Sequence, residues 1–112
     1  MSDRSRLVRI AGLAFAVLAY NGAFAAESYS LTIKDHRFDP VEVEVPAGQK
    51  FKLVVKNEDG TPEEFESKSL RLEKIVKGKK EISFNVGPLE AGTYEFVGEF
   101  HEGTAKGRLV AK

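Results

Sequence analysis

The chain has 112 residues, 17 Lys+Arg against 17 Asp+Glu, and no cysteine. That length allows one domain, and the balanced charge argues against a nucleic-acid binder, which needs a basic excess. The missing thiol excludes disulfides, thiolate zinc or copper centres, iron–sulfur clusters, cysteine nucleophiles and a lipidated N-terminal cysteine.

The N-terminus reads as an address. Arg4, Arg6 and Arg9 form a positive region, residues 10–20 (IAGLAFAVLAY) an apolar one, and Ala23-Phe24-Ala25 a small-x-small cleavage site. This is the grammar of a secretory signal peptide. The apolar stretch is short for a membrane span and ends at Asn21-Gly22. Cleavage is expected after Ala25, leaving residues 26–112 as one secreted domain with no stable membrane span. The 17 basic and 17 acidic residues then fall to 14 and 16, a net charge of −2.

The rest of the chain alternates with period two. Leu31 and Ile33 lead, followed by Val41, Val43 and Val45, then by Phe51, Leu53 and Val55. Ile82, Phe84 and Val86 continue the pattern, then Tyr94 and Phe96, then Leu109 and Ala111. Polar residues fall between them, as half-buried strands require. Turn signals separate the runs: Asp39-Pro40, Pro46-Ala47-Gly48, Asp59-Gly60-Thr61-Pro62, Lys77-Gly78, Gly87-Pro88 and Ala91-Gly92. Seven or eight short strands predict a small antiparallel β-sandwich or barrel. Between Glu66 and Lys77 the residues Leu70, Leu72 and Ile75 fit either a strand or a short helical turn. Phe51, Phe65, Phe84, Tyr94 and Phe96 are expected in the core.

Residues 38–49 (FDPVEVEVPAGQ), a strand at 52–57 ending in Asn57, and residues 91–96 (AGTYEF) with 100–110 (FHEGTAKGRLV) carry a resemblance. Together they resemble the cupredoxin family. The resemblance implies an all-β, Greek-key β-sandwich of seven or eight strands with a metal at one end. Blue-copper members use two histidines, a cysteine and a weak methionine. Those ligands would fall at Glu63, Gly98, His101 and Ala105, so only His101 is kept and type 1 copper is excluded. Residues 61–67 (TPEEFES), 87–89 (GPL) and 98–102 (GEFHE) narrow the likeness. They are similar to a cysteine-free branch of periplasmic proteins that accompany Ftr/Efe-type ferrous-iron permeases. That likeness implies a metal-handling role in ferrous-iron uptake, as a ferroxidase or an iron donor. The implied partner is an inner-membrane iron permease or another periplasmic uptake protein.

Carboxylate and imidazole suit iron, manganese, zinc or Cu(II) rather than Cu(I). The expected cofactor is therefore an iron and/or copper ion, with Glu63, His101, Glu66 and Glu99 as candidate ligands. Two placements are open. At the sandwich end Glu63 would meet His101, with Glu102 or His36 nearby and Gly98 leaving room. On an outer sheet face, Phe65 pointing inward sends Glu64 and Glu66 outward, and the closeness of the two strands that the resemblance implies would let Glu66 pair with Glu99. Two alternatives stand beside the iron reading: a metal-free interaction domain and a Cu(II)/Zn(II) buffer or chaperone. No serine has a plausible His–Asp arrangement for hydrolysis.

Overall fold

A computed structural model describes residues 27–112, so the signal peptide expected at 1–25 lies outside the described residues. Nine strands run in order: β1 (Ser28–Lys34), β2 (Arg37–Asp39), β3 (Glu42–Val45), β4 (Phe51–Asn57) and β5 (Glu63–Ser67). After them come β6 (Leu72–Val76), β7 (Glu81–Val86), β8 (Gly92–Gly98) and β9 (Lys106–Ala111), with a single 3-10 turn, η1 (Glu99–His101), between the last two. They form two sheets, ordered β3-β9-β8-β5-β6 and β2-β1-β4-β7.

The alternation explains the packing. Leu31 and Ile33 of β1, Phe51, Leu53 and Val55 of β4, and Phe65 of β5 have their side chains between the sheets. Phe65 sits among aromatic rings, with ring centres 5.0 Å from Phe96, 5.7 Å from Phe84 and 6.1 Å from Phe38. Phe38 meets Phe96 edge to face at 4.9 Å. Such rings each bury a large apolar area and hold the two layers together without a disulfide.

The structure corrects several expectations. Among the described residues there are nine strands rather than seven or eight, because the uncertain stretch between Glu66 and Lys77 forms β6 and Phe38 lies in its own short strand. The sheets are not purely antiparallel. β1 runs parallel to β4, and β3 parallel to β9. Between each pair the chain crosses from one sheet to the other, which frees the two strands to run the same way. Val41 is 53% exposed, since it precedes β3 instead of lying within it. Ile75 is 50% exposed on the edge strand β6, and Phe84 and Tyr94 are only partly buried.

Gly107 gives a direct check on this packing. A Cβ there would stand 2.6 Å from the Phe96 ring and 2.8 Å from the Val41 carbonyl oxygen. Gly107→Ala should cost about 1–3 kcal/mol through overpacking, read as a lower urea midpoint. An unchanged midpoint would show that β9 and the Phe96 ring do not meet in this way.

Candidate metal centre

Strand β5 puts alternate residues on opposite faces. Phe65 and Ser67 point inward, and Glu63 shares their parity; its side chain is buried, with the residue 1% exposed. A carboxylate so placed needs partners, because an unpaired buried charge is very costly. Glu63 Oε1 lies 2.6 Å from His101 Nδ1. Its Oε2 accepts the backbone N–H of Phe100 at 2.8 Å and that of Glu64 at 3.1 Å. The imidazole and one of the N–H donors come from η1, the turn between β8 and β9. That turn is closed by the N–H groups of Thr104 and Ala105, which donate to the His101 carbonyl at 3.1 and 2.8 Å.

Gly98 makes this arrangement possible. Its backbone is ordinary extended chain, so space and not conformation calls for glycine. A Cβ at 98 would lie 2.6 Å from Glu63 Cδ and 2.7 Å from Ala105 Cβ. The four positions at which the resemblance puts the family's copper ligands (63, 98, 101 and 105) therefore converge at one end of the sandwich. The Glu63 carboxyl fills the space that a side chain at 98 would need.

His36 lies over the same end. Its ring stacks on His101, with centres 3.5 Å apart and planes 10° from parallel. It occupies the two-residue turn joining β1 to β2, where Asp35 and His36 have φ of 53° and 58°. Asp59 accepts the backbone N–H of Asp35 at 2.8 Å and of His36 at 3.0 Å. Desolvation pushes the Asp59 carboxyl up, but these two bonds together with the charges of His36 and Lys79 hold the group below its ordinary range.

The outer face of β5 is acidic. Glu66 stands directly across from Glu73 of β6, and Val97 of β8 pairs with Glu66 on the other side. Carboxylate oxygens of Glu66, Glu99 and Glu102 lie within 4.8 Å of one another, as do those of Glu64, Glu73 and Glu99. Among the described residues these are the sets of three donors close enough to share an ion. Glu66 is pushed above the usual carboxylate range by desolvation and then by the charges of Glu99 and Glu73. Glu99 is pushed up mainly by hydrogen bonding and repulsion with Glu64.

The candidate ligands thus fall into two groups. Glu63 meets His101 inside, while Glu66 meets Glu99 outside, and Glu102 joins the outer group. Residues 99–101 bridge them, with Glu99 on the acidic face and His101 on the inner carboxylate. Sequence reasoning missed Glu73, which only the β5–β6 register could reveal. It placed Glu63 at the sandwich end beside His101 but did not read its burial, although its parity with Phe65 was legible.

Two outcomes follow from this geometry. Gly98→Ala should displace the Glu63 carboxyl and cost about 1–3 kcal/mol, seen as a lower melting temperature; a neutral result would mean the pocket has slack. The raised carboxylates bind protons more readily in the folded chain than in the unfolded one. Their contribution is therefore favourable below the ordinary carboxylate range, ~4, and is lost as pH rises through the raised folded values. The double variant Glu66→Gln/Glu99→Gln should flatten that fall in melting temperature. An unaltered pH profile would show that the cluster does not repel itself.

Comparison with known proteins agrees with the architecture. The chain matches the family described as cupredoxin-like domain over residues 7–111. An uncharacterized protein of Rickettsia prowazekii (strain Madrid E) is 48% identical over 80 residues, which cover 71% of this chain and 64% of that protein. The chain thus spans less than two-thirds of that relative's length. Among solved structures it resembles auracyanin A, a "blue" copper protein of Chloroflexus aurantiacus. The TM-score is 0.67 at 16% identity, covering 79% of this chain and 100% of that one. It also resembles a Cu(I) form of an amicyanin mutant, with a TM-score of 0.63 at 20% identity over 81% and 89% of the two chains. At these identities the likeness is one of fold. Lacking the thiolate of a type 1 copper site, the chain nevertheless belongs to the cupredoxin-like domain family.

Proposed function

We propose that this protein handles iron and/or Cu(II) in the periplasm, binding the cation through Glu63 and His101 in the service of ferrous-iron uptake. The observation that carries the reading is the buried Glu63 carboxylate, 2.6 Å from His101 at the end where the family resemblance puts its metal. Keeping a charged group there is expensive, and a packed apolar residue would generally be as stable or more so. One carboxylate oxygen and one imidazole nitrogen are a donor set that suits iron or Cu(II) and does not suit type 1 copper. Glu63 and His101 would hold the cation, whose binding would displace the proton they share, and the two side chains already face each other.

The acidic face supports the same reading. Glu64, Glu66, Glu73, Glu99 and Glu102 form a negative field next to the inner pair, and such fields concentrate cations locally. Glu66 and Glu99 belong to this outer face as collecting ligands. Delivery to an inner-membrane permease, or to another periplasmic uptake protein, is the partner step that the sequence resemblance to Ftr/Efe-type accessory proteins implies. Oxidation of Fe(II) requires an electron acceptor, and carboxylate and imidazole are not acceptors. The proposal is therefore binding and donation, with ferroxidase activity arising only when a second metal such as Cu(II) takes the electron.

A second reading rests on the same bonds. Both oxygens of Glu63 have hydrogen-bond partners without a metal. The pair would then be a structural plug in a metal-free interaction domain.

Calorimetric titration with Mn(II), anaerobic Fe(II) and Cu(II) separates the two. Glu63→Gln and His101→Ala should each weaken binding at least tenfold, about 1.4 kcal/mol. Absence of binding in the unaltered protein would favour the plug. Fe(II) oxidation with and without Cu(II) then distinguishes ferroxidase from donor. A rebuilding experiment checks the placement itself. Glu63→His with Gly98→Cys and Ala105→Met should produce an intense thiolate–Cu(II) colour. Gly98→Cys alone, with Glu63 in its way, should not.

A further inference from the structure

We propose that His36 is a positioning residue for the Glu63–His101 centre, its ring forming the wall that holds the His101 imidazole with Nδ1 on Glu63. The local structure holds His36 in a defined place. The hairpin turn between β1 and β2 has two residues, both left-handed, a geometry that favours Asn-Gly or Gly-Gly. Positive φ is uncommon outside glycine, and Asp and His are among the residues that adopt it more readily.

The surrounding groups keep the turn in place. Asn57, buried at the end of β4, donates through Nδ2 to the carbonyls of Thr61 and Val76 at 2.8 and 3.1 Å. Its Oδ1 accepts the Asp59 N–H at 3.0 Å, and the Asp59 carboxylate in turn accepts both N–H groups of the turn. From the other side the Thr104 hydroxyl donates to the His36 carbonyl at 2.6 Å. Thr104 lies in the same loop as His101, so the hydroxyl ties the two histidines' backbones together. The result is the parallel contact of the rings at 3.5 Å.

His101 needs such a wall. It sits at the end of a one-turn helix, and its side chain is partly exposed on one side. An imidazole free to swing must be immobilised each time it binds; a stacked neighbour does this beforehand. His36 acts through His101 and not as a ligand. The sets of three donors within 4.8 Å among the described residues do not join His36 to Glu63 and His101.

Two substitutions test this. His36→Asn tolerates the left-handed turn and removes the ring, whereas His36→Phe keeps a ring face and removes both nitrogens. The first readout is the nitrogen-15 NMR signature of the His101 ring in metal-free protein, which reports its tautomer and mobility. His36→Asn should average that signature and weaken Mn(II) or Cu(II) binding about two- to tenfold, in line with the usual worth of an aromatic contact. His36→Phe should restore both. Thr104→Val, which cuts the tether and leaves both rings, should move the signature the same way by less. Unchanged His101 signals in His36→Asn would overturn the proposal. So would loss of metal binding in both ring variants with His101 signals intact, since His36 would then be a ligand. This inference takes its functional meaning from the proposed metal site, but the NMR arm needs no metal. If the unaltered protein binds none, the metal reading fails while the ring signals still decide whether His36 positions His101.

Discussion

The arrangement depends on one contact: the Glu63 carboxyl against the bare Cα of Gly98. With any side chain at 98 the carboxyl could not lie where it does. With the carboxyl elsewhere, His101 Nδ1 and the Phe100 N–H would lose their acceptor. The exchange of a thiolate for hydrogen and of an imidazole for a carboxylate is thus a coupled change. It converts an end of the sandwich that suits copper–sulfur chemistry in this family into one that suits oxygen and nitrogen donors. It also accounts for a buried acid in a domain that has no disulfide to compensate a weakened core.

Strand alternation then spreads the consequences to both faces of one sheet. β5 sends Glu63 and Phe65 inward and Glu64 and Glu66 outward. The β5–β6 register places Glu73 opposite Glu66, and η1 brings Glu99 over the same face while turning His101 to the inside. Like charges directly opposite each other destabilise a sheet. Desolvation together with the Glu99 and Glu73 charges raises the affinity of Glu66 for protons, and hydrogen bonding and repulsion with Glu64 raise that of Glu99. A bound cation would relieve the repulsion, which links the inner pair and the outer field through two adjacent elements.

Much of the architecture was legible in the sequence. Period-two runs such as Leu31/Ile33 and Phe51/Leu53/Val55 marked strands, and their inward residues are the core. Spacing relative to the family motif placed Glu63, Gly98, His101 and Ala105 at one end, and the structure gathers these positions there. Alternation also put Glu66 on an outer face, and the strand neighbourhood implied by the family resemblance put it within reach of Glu99. What was hidden depended on long-range register. Glu73 is seven residues from Glu66 in the chain and acquires meaning only when β6 folds back on β5. His36 and His101 are far apart in sequence, and their stacking requires a left-handed turn that the pair Asp-His does not announce. Val41 misled because its alternation continues past the point where β3 begins.

The central claim is that a cation sits between the buried carboxylate and the imidazole. Crystals of the protein equilibrated with Mn(II) or Fe(II), with anomalous scattering recorded at the metal's absorption edge, locate the ion directly. A peak within bonding distance of a Glu63 oxygen and His101 Nδ1 is the expected result. A peak confined to the Glu66/Glu99/Glu102 face, or none with the Glu63–His101 bond intact, would contradict it.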